Sequence, residues 1–259
     1  MSLVFYPKSH RYKLDGQWVT GVTSLIKGGL PAPALMYWSA RTVAEYVADN
    51  AEDVDALRRM GRGPMVQALK EVPWQKRDTA AVRGTEVHDL AERLVNDESV
   101  DIPPHLDGYV QSCVRFLDTW QPKTILTERP VAHRAHQWAG KFDYLCELPD
   151  GRVILLDWKT TASGIYPETS YQLAAYSHAE FYIDENGDEH SLPEIHGTWA
   201  VHLRPDDYDV IPVKGDDAAY KEFRHIAFVA AAAKRAKGDK DTRGYVGLPL
   251  DPPDWSTAA

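Results

Sequence analysis

The sequence predicts an α/β fold: a helical N-terminal part, then strands interleaved with helices. Three observations lead there. Apolar residues recur at helical spacing up to about Trp120, and from Thr124 the period shortens to that of strands. The stretch Val153-Ile154-Leu155-Leu156 is apolar on both faces, as in a strand covered on both sides. At 259 residues and 44% hydrophobic content, the chain suits one large domain, or one domain with a substantial extension, around a sizeable core.

Taken in order, residues around Arg11 to Gly21 alternate weakly about Asp15-Gly16, a hairpin-turn signal. Gly28-Gly29-Leu30-Pro31-Ala32-Pro33 should break the chain. Ala34 to about Ala48 reads as a helix with Leu35, Trp38, Val43 and Val47 at helical spacing. A more charged helix is expected over Val54 to Leu69, interrupted by Gly61-Arg62-Gly63-Pro64. A helix opening near Gly84-Thr85 carries Val87, His88, Leu90, Ala91 and Leu94, and another spans roughly Leu106 to Trp120. Thr124 to Ala132, Gln137 to Leu148 and Arg152 to Thr160 read as successive strands. Pro149-Asp150-Gly151 turns the last pair antiparallel. Glu168 to Ile183 reads as a helix, Thr198 to Leu203 and Tyr208 to Val213 as strands, and Asp217 to Lys237 as an Ala-rich helix. The tail beyond Gly238, rich in Gly, Pro and Asp, is expected to be partly mobile.

No apolar run approaches the ~20 residues needed to cross a bilayer, and the first six residues lack the pattern of a signal peptide. Cytoplasmic location and no membrane partner are expected. Cys113 and Cys146 are too few for a disulfide framework or a four-thiolate cluster. A net charge of −9 argues mildly against nucleic acid. Bound cations in an acidic site would reverse the local field, however.

The chemistry centres on Gly140-Lys141-Phe142-Asp143 and, across a hairpin, Leu155-Leu156-Asp157-Trp158-Lys159-Thr160. Side chains two apart in a strand share a face, so Asp157 and Lys159 point the same way. Charges at the end of a buried strand are costly unless paired or bound to metal. A salt bridge within the pair is the plain explanation. Asp143 shifts the balance, because the hairpin can set its carboxylate beside that of Asp157. Two close carboxylates repel, and a hard divalent cation relieves the repulsion. A solvated edge carboxylate is the alternative reading of Asp143.

Gly-x-x-Asp, then Asp-x-Lys after a hairpin, then Tyr171-Gln172-Leu173-Ala174-Ala175-Tyr176 resembles the RecB-type branch of the PD-(D/E)XK nucleases. Gly84-Thr85-Glu86-Val87-His88-x-x-x-Glu92 is similar to the helix motif that opens that domain. The resemblance covers about Val82 to Val213. It implies a restriction-endonuclease-like core over residues 81–237, with a central mixed β-sheet flanked by helices. Residues 1–80 would form a mainly helical extension, and residues 238–259 a tail. His88, Asp143, Asp157 and the backbone carbonyl of Trp158 would hold Mg²⁺ or Mn²⁺. Lys159 would position the attacking water and stabilise charge on the phosphate. Gln172 would hold the site from its helix, Tyr176 would contact substrate or site, and Glu128 would supply a supporting acid. Arg83 and Lys141 flank the motifs and are candidate contacts to the nucleic-acid backbone.

The implied activity is that of a metal-dependent DNA exonuclease of the kind phages use in recombination, repair or processing. Linear single- or double-stranded DNA is the expected partner, with a single-strand annealing or replication protein as a second. A structure-specific endonuclease and a non-catalytic DNA-binding module are the alternatives. CRISPR-associated relatives carry four cysteines for an iron–sulfur cluster, which two cysteines cannot build; no Walker A motif is present. Each residue also has an ordinary reading. Glu92, four residues after His88, would orient it or form a salt bridge, while Gln172 and Tyr176 would be amphipathic-helix residues. His133 and His136 look like a metal pair, but a strand would send them to opposite faces, so they are read as structural or exposed.

Overall fold

The computed structural model describes residues 2–237; the tail set apart in the sequence lies outside the described residues. Strands β1 (Leu3–Tyr6), β2 (Arg11–Leu14) and β3 (Gln17–Gly21) form an antiparallel meander. Its Asp15-Gly16 turn has φ of 47° and 86°, the left-handed pair a two-residue hairpin needs. Helices α1 (Val22–Gly29), α2 (Pro33–Asp49), α3 (Ala51–Met60), α4 (Arg62–Val95) and α5 (Asp107–Trp120) follow. Then come strands β4 (Lys123–His133), β5 (Trp138–Glu147) and β6 (Val153–Lys159), helix α6 (Glu168–Ser177), and strands β7 (Phe181–Ile183), β8 (Glu189–His190), β9 (Gly197–Leu203) and β10 (Tyr208–Val213). Helix α7 (Asp217–Lys237) closes the described chain.

The sheet is mixed. β5 pairs antiparallel with β4 along one edge; its other edge takes β6 at one end and β3, parallel, at the other. β6 continues in parallel to β9 and thence to β10, while β4 continues to β7 and β8. One core lies between the sheet and α4–α5, with Val87, Val110, Phe116, Tyr144, Leu156 and Trp158. A second lies under α1, α6 and α7, with Ile26, Phe142, Leu155, Leu173 and Phe223. The alternation read from β6 is therefore as expected: Ile154, Leu156 and Trp158 face one core and Leu155 the other.

Three expectations change. Residues 3–29 are not part of a helical extension but lengthen the central sheet and add α1 to its second core. The break expected over Gly28–Pro33 does occur: α1 ends at Gly29 and Leu30–Ala32 link it to α2. The glycines have a second use, since a Cβ at Gly29 would stand 2.1 Å from the Ile226 carbonyl oxygen, so they also permit the close contact of α1 with α7. Gly84-Thr85 does not open a helix; α4 starts at Arg62, after Gly61 at φ 97°, with Pro64 tolerated in its first turn. Finally, α6 stops at Ser177, and Phe181–Ile183 becomes a strand whose outer residues are buried. The helix of Leu35, Trp38, Val43 and Val47 does form, but it packs on α4, and Leu35 and Val47 remain exposed.

Candidate functional site

β5 and β6 stay paired only as far as Tyr144↔Leu156. The next opposed residues are Asp143 and Asp157, so the hairpin places the two carboxylates side by side where the ladder ends. Beyond that point the edge of β5 is open until β3 joins at Ala139. Asp143 Oδ2 takes the place of a ladder bond by accepting the Trp158 N–H at 2.9 Å.

The strand also changes facing here. Phe142 belongs to the second core and Tyr144 to the first, although residues two apart normally share a face. On β4 the residue between the Thr127↔Tyr144 and Arg129↔Phe142 pairs is Glu128, in a left-handed backbone at φ 51°. A non-glycine residue there carries on the order of 1–2 kcal/mol of strain, and such bulge-like kinks re-aim side chains beside sites. The result is that ligand atoms of His88, Glu128 and Asp143 all lie within 4.8 Å of one another. His88 Nδ1 stands 3.3 Å from Asp143 Oδ2.

Asp157 is engaged differently. Its Oδ1 accepts from Gln172 Nε2 at 2.8 Å, and its Oδ2 forms an ion pair with Lys159. The set expected to hold metal therefore divides: His88 and Asp143 come together with Glu128, whereas Asp157 is neutralised by Lys159 and steadied by α6. The backbone of Trp158 hydrogen-bonds the His88 ring. Glu128 moves from a supporting place to the centre, and its side chain pairs with Lys141.

The electrostatics follow from burial. Desolvation, then the neighbouring Asp157, pushes the Asp143 carboxyl up to about 8. Desolvation and the nearby Asp143 push Glu128 up to about 7. Burial lowers the pKa of His88, keeping its imidazole neutral and able to act as a ligand near pH 7. Burial also works against the charged ammonium of Lys159, yet Asp157 and Asp143 together outweigh it and hold its pKa above the ordinary value.

The remaining candidates separate. Tyr176 is 3% exposed and reaches the site, not solvent: its hydroxyl hydrogen-bonds Gln172 and its ring lies against Gly140. Substrate contact by Tyr176 is thereby corrected to a packing and positioning role. Arg83 turns its guanidinium toward the Tyr109 ring, 5.4 Å away, because five residues of helix rotate it about 140° from His88. Lys141 is held by Glu128 and lies over Phe5. Among the described residues the Glu92 carboxylate makes no ion pair; burial raises its pKa. His133 and His136 are not on opposite faces, since β4 ends at His133 and the turn back brings their rings 3.9 Å apart. Glu180 and the Tyr220 hydroxyl hold them, which is a structural role.

A cleft of about 210 Å³ opens beside Lys159 and Gln172, lined also by Thr161, Tyr166, Glu168 and Thr169. The loop after β6 that supplies part of it carries no periodic signal in the sequence. Neither models of known protein families nor curated proteins give a match to this chain.

Proposed function

We propose that this chain is a divalent-metal-dependent deoxyribonuclease, read first as an exonuclease on linear DNA. The observation that carries the reading is the half-buried meeting of His88, Glu128 and Asp143 next to the Asp157–Lys159–Gln172 group. One imidazole and two carboxylates fit a hard divalent ion such as Mg²⁺ or Mn²⁺. The raised pKa values of Asp143 and Glu128 reflect desolvation and mutual repulsion that such an ion relieves. A bound ion of this kind lowers the pKa of its water and screens phosphate oxygens.

The chain's own groups do the rest. Lys159, fixed by Asp157 yet about one-fifth exposed, presents a preorganised positive charge to a phosphate lying in the cleft. Gln172 holds the Asp157 carboxylate and so sets where that ammonium points. Neutral His88 and the Trp158 N–H hold Asp143 in place. No covalent intermediate is needed.

Linear DNA incubated with purified protein tests the reading. Cleavage should vanish in EDTA and return with Mg²⁺ or Mn²⁺. Asp143→Asn should abolish both cleavage and metal binding. Lys159→Ala should lower cleavage by at least ~100-fold while leaving metal affinity largely intact. Full cleavage in excess EDTA would refute the assignment. An endonuclease on the same site is the second reading. It is favoured by one observation: α2 and α3 pack along α4, and the cleft lining comes from the loop after β6 and from α6 instead.

A further inference from the structure

Charge is unevenly distributed along the chain. Residues 58–83 carry seven Lys or Arg against two acidic residues, a net +5 in a chain of −9. This segment forms the end of α3 and the first two-thirds of α4, the helix that delivers His88. From Trp74 to Val82 every residue of α4 is exposed, over more than two turns, with the long Lys76–Glu45 pair reaching across to α2. A helix in that state joins two bodies through solvent or awaits a partner.

The geometry links this surface to the site. Arg77 precedes His88 by eleven residues, about three turns, so both lie on one face of α4 roughly 16 Å apart. Lys70 precedes Arg77 by seven residues and continues the row about 10 Å further. Between Arg77 and His88 that face bears the small residues Ala81, Gly84 and Thr85, leaving the helix surface accessible to an approaching chain. Trp74, 52% exposed, stands under the Arg77 guanidinium at 4.5 Å from its ring. An exposed indole among cations is a surface for stacking an unpaired base. Among the described residues Arg59, Arg62 and Lys70 have no ion-pair partner; Lys76 and Arg77 have only exposed ones, Glu45 and Asp78.

We propose that this basic row on α4 binds the phosphate backbone of a nucleic-acid strand and guides it toward His88, with Trp74 stacking on a base. The proposal rests on the nuclease reading for its direction, and the tests of the two separate. Phosphate neutralisation requires Lys and Arg; in an otherwise acidic chain this arm concentrates them. At 3.4 Å per nucleotide, the ~27 Å from His88 to Lys70 corresponds to about eight nucleotides of one strand.

Binding of an oligonucleotide of about 20 nucleotides is measured by fluorescence anisotropy in EDTA, over a range of salt. Simultaneous replacement of Lys70, Lys76 and Arg77 by alanine should reduce the salt slope by about 2–3, near one for each contact. Trp74→Ala should weaken single-strand binding roughly tenfold with the slope kept. All four side chains are exposed, so folding should survive. The arginine variants Lys70→Arg and Lys76→Arg should retain the slope and exclude a purely structural effect. Equal slopes for wild type and triple variant would overturn the proposal. So would a triple variant whose only change is loss of a dimer in sedimentation, which would make a second copy the occupant. If the wild type shows the slope but cuts no DNA with Mg²⁺ or Mn²⁺, the nuclease reading falls and the binding surface stands.

Discussion

Glu128 and Asp143 sit across from each other at the one place where both β4 and β5 change facing, and their burial has a cost that pH should expose. Both carry folded-state pKa values raised above those of an unfolded chain, near 4. Such groups contribute fully below the unfolded value and lose that contribution as pH rises through the folded one. The losses build up from about pH 4 and are complete near pH 7 for Glu128 and pH 8 for Asp143. His88, whose pKa is lowered, works in the other sense: its contribution is present above about 6.5 and is lost as pH falls. The metal-free protein should therefore lose thermal stability most steeply between about pH 6.5 and 7, where both carboxylates act and His88 no longer opposes them, and go on losing it to about pH 8, followed as Tm in EDTA. Asp143→Asn should flatten that decline and raise Tm at pH 8, and saturating Mn²⁺ should reverse it. A Tm that climbs from pH 6.5 to 8 in EDTA would show that these carboxylates are not desolvated as described. Much of this was legible in the residues: Asp143, Asp157 and Lys159 follow from strand parity and one tight turn. That Glu128 displaces Asp157 from the group with His88 was not legible, because it depends on a left-handed residue inside a strand, which no periodicity signals.

Elements were legible where their period is strong and illegible where a glycine has two meanings. β4, β5, β6, β9, β10 and α7 lie within a residue or two of the boundaries read from alternation and helical spacing. β1 and α1 were missed: four residues at the start are too short to show alternation, and the eight of α1 are few; Gly28-Gly29 does end α1, but its close approach to α7 is not visible in sequence. Gly140 shows the same ambiguity beside the site. A Cβ there would stand 2.3 Å from Cε1 of Tyr176, a side chain already buried. Gly140→Ala must push the ring aside, and overpacking of this kind costs about 1–3 kcal/mol. Because Tyr176 bonds Gln172, which holds Asp157, the displacement should also lower kcat on DNA by more than the loss of folded protein explains. The comparison is Gly63→Ala, in open space on the first turn of α4, which should be neutral or stabilising by up to ~1 kcal/mol. Equal Tm and kcat for Gly140→Ala and wild type would mean that the β5–α6 contact does not position the site.

At the scale of the whole molecule, the proposed nuclease activity raises one question: what would decide between cutting from an end and cutting within a strand. A helical cover over the cleft would impose end dependence, but α2 and α3 stand along α4, and the cleft wall comes from the loop after β6 and from α6. Depth offers a different cause. Asp157 is 2% exposed, and the Asp143 and Lys159 side chains 11% and 22%, at the bottom of a fork between β3 and β6. A stacked duplex cannot bring an internal phosphate to groups so recessed without unpairing, at about 1.4 kcal/mol for each base-pair step. At an end, fraying makes the opening cheap. Linear duplex should therefore be degraded to short products in Mg²⁺ and in Mn²⁺, while relaxed, covalently closed duplex circles of the same sequence survive. Single-stranded circles identify the cause: they have no end to thread but no pairing to break. If depth is the barrier, they should be cut while duplex circles remain. If a free end is itself required, both circles should persist. Prompt nicking of the closed duplex circles would replace the exonuclease reading with the endonuclease one.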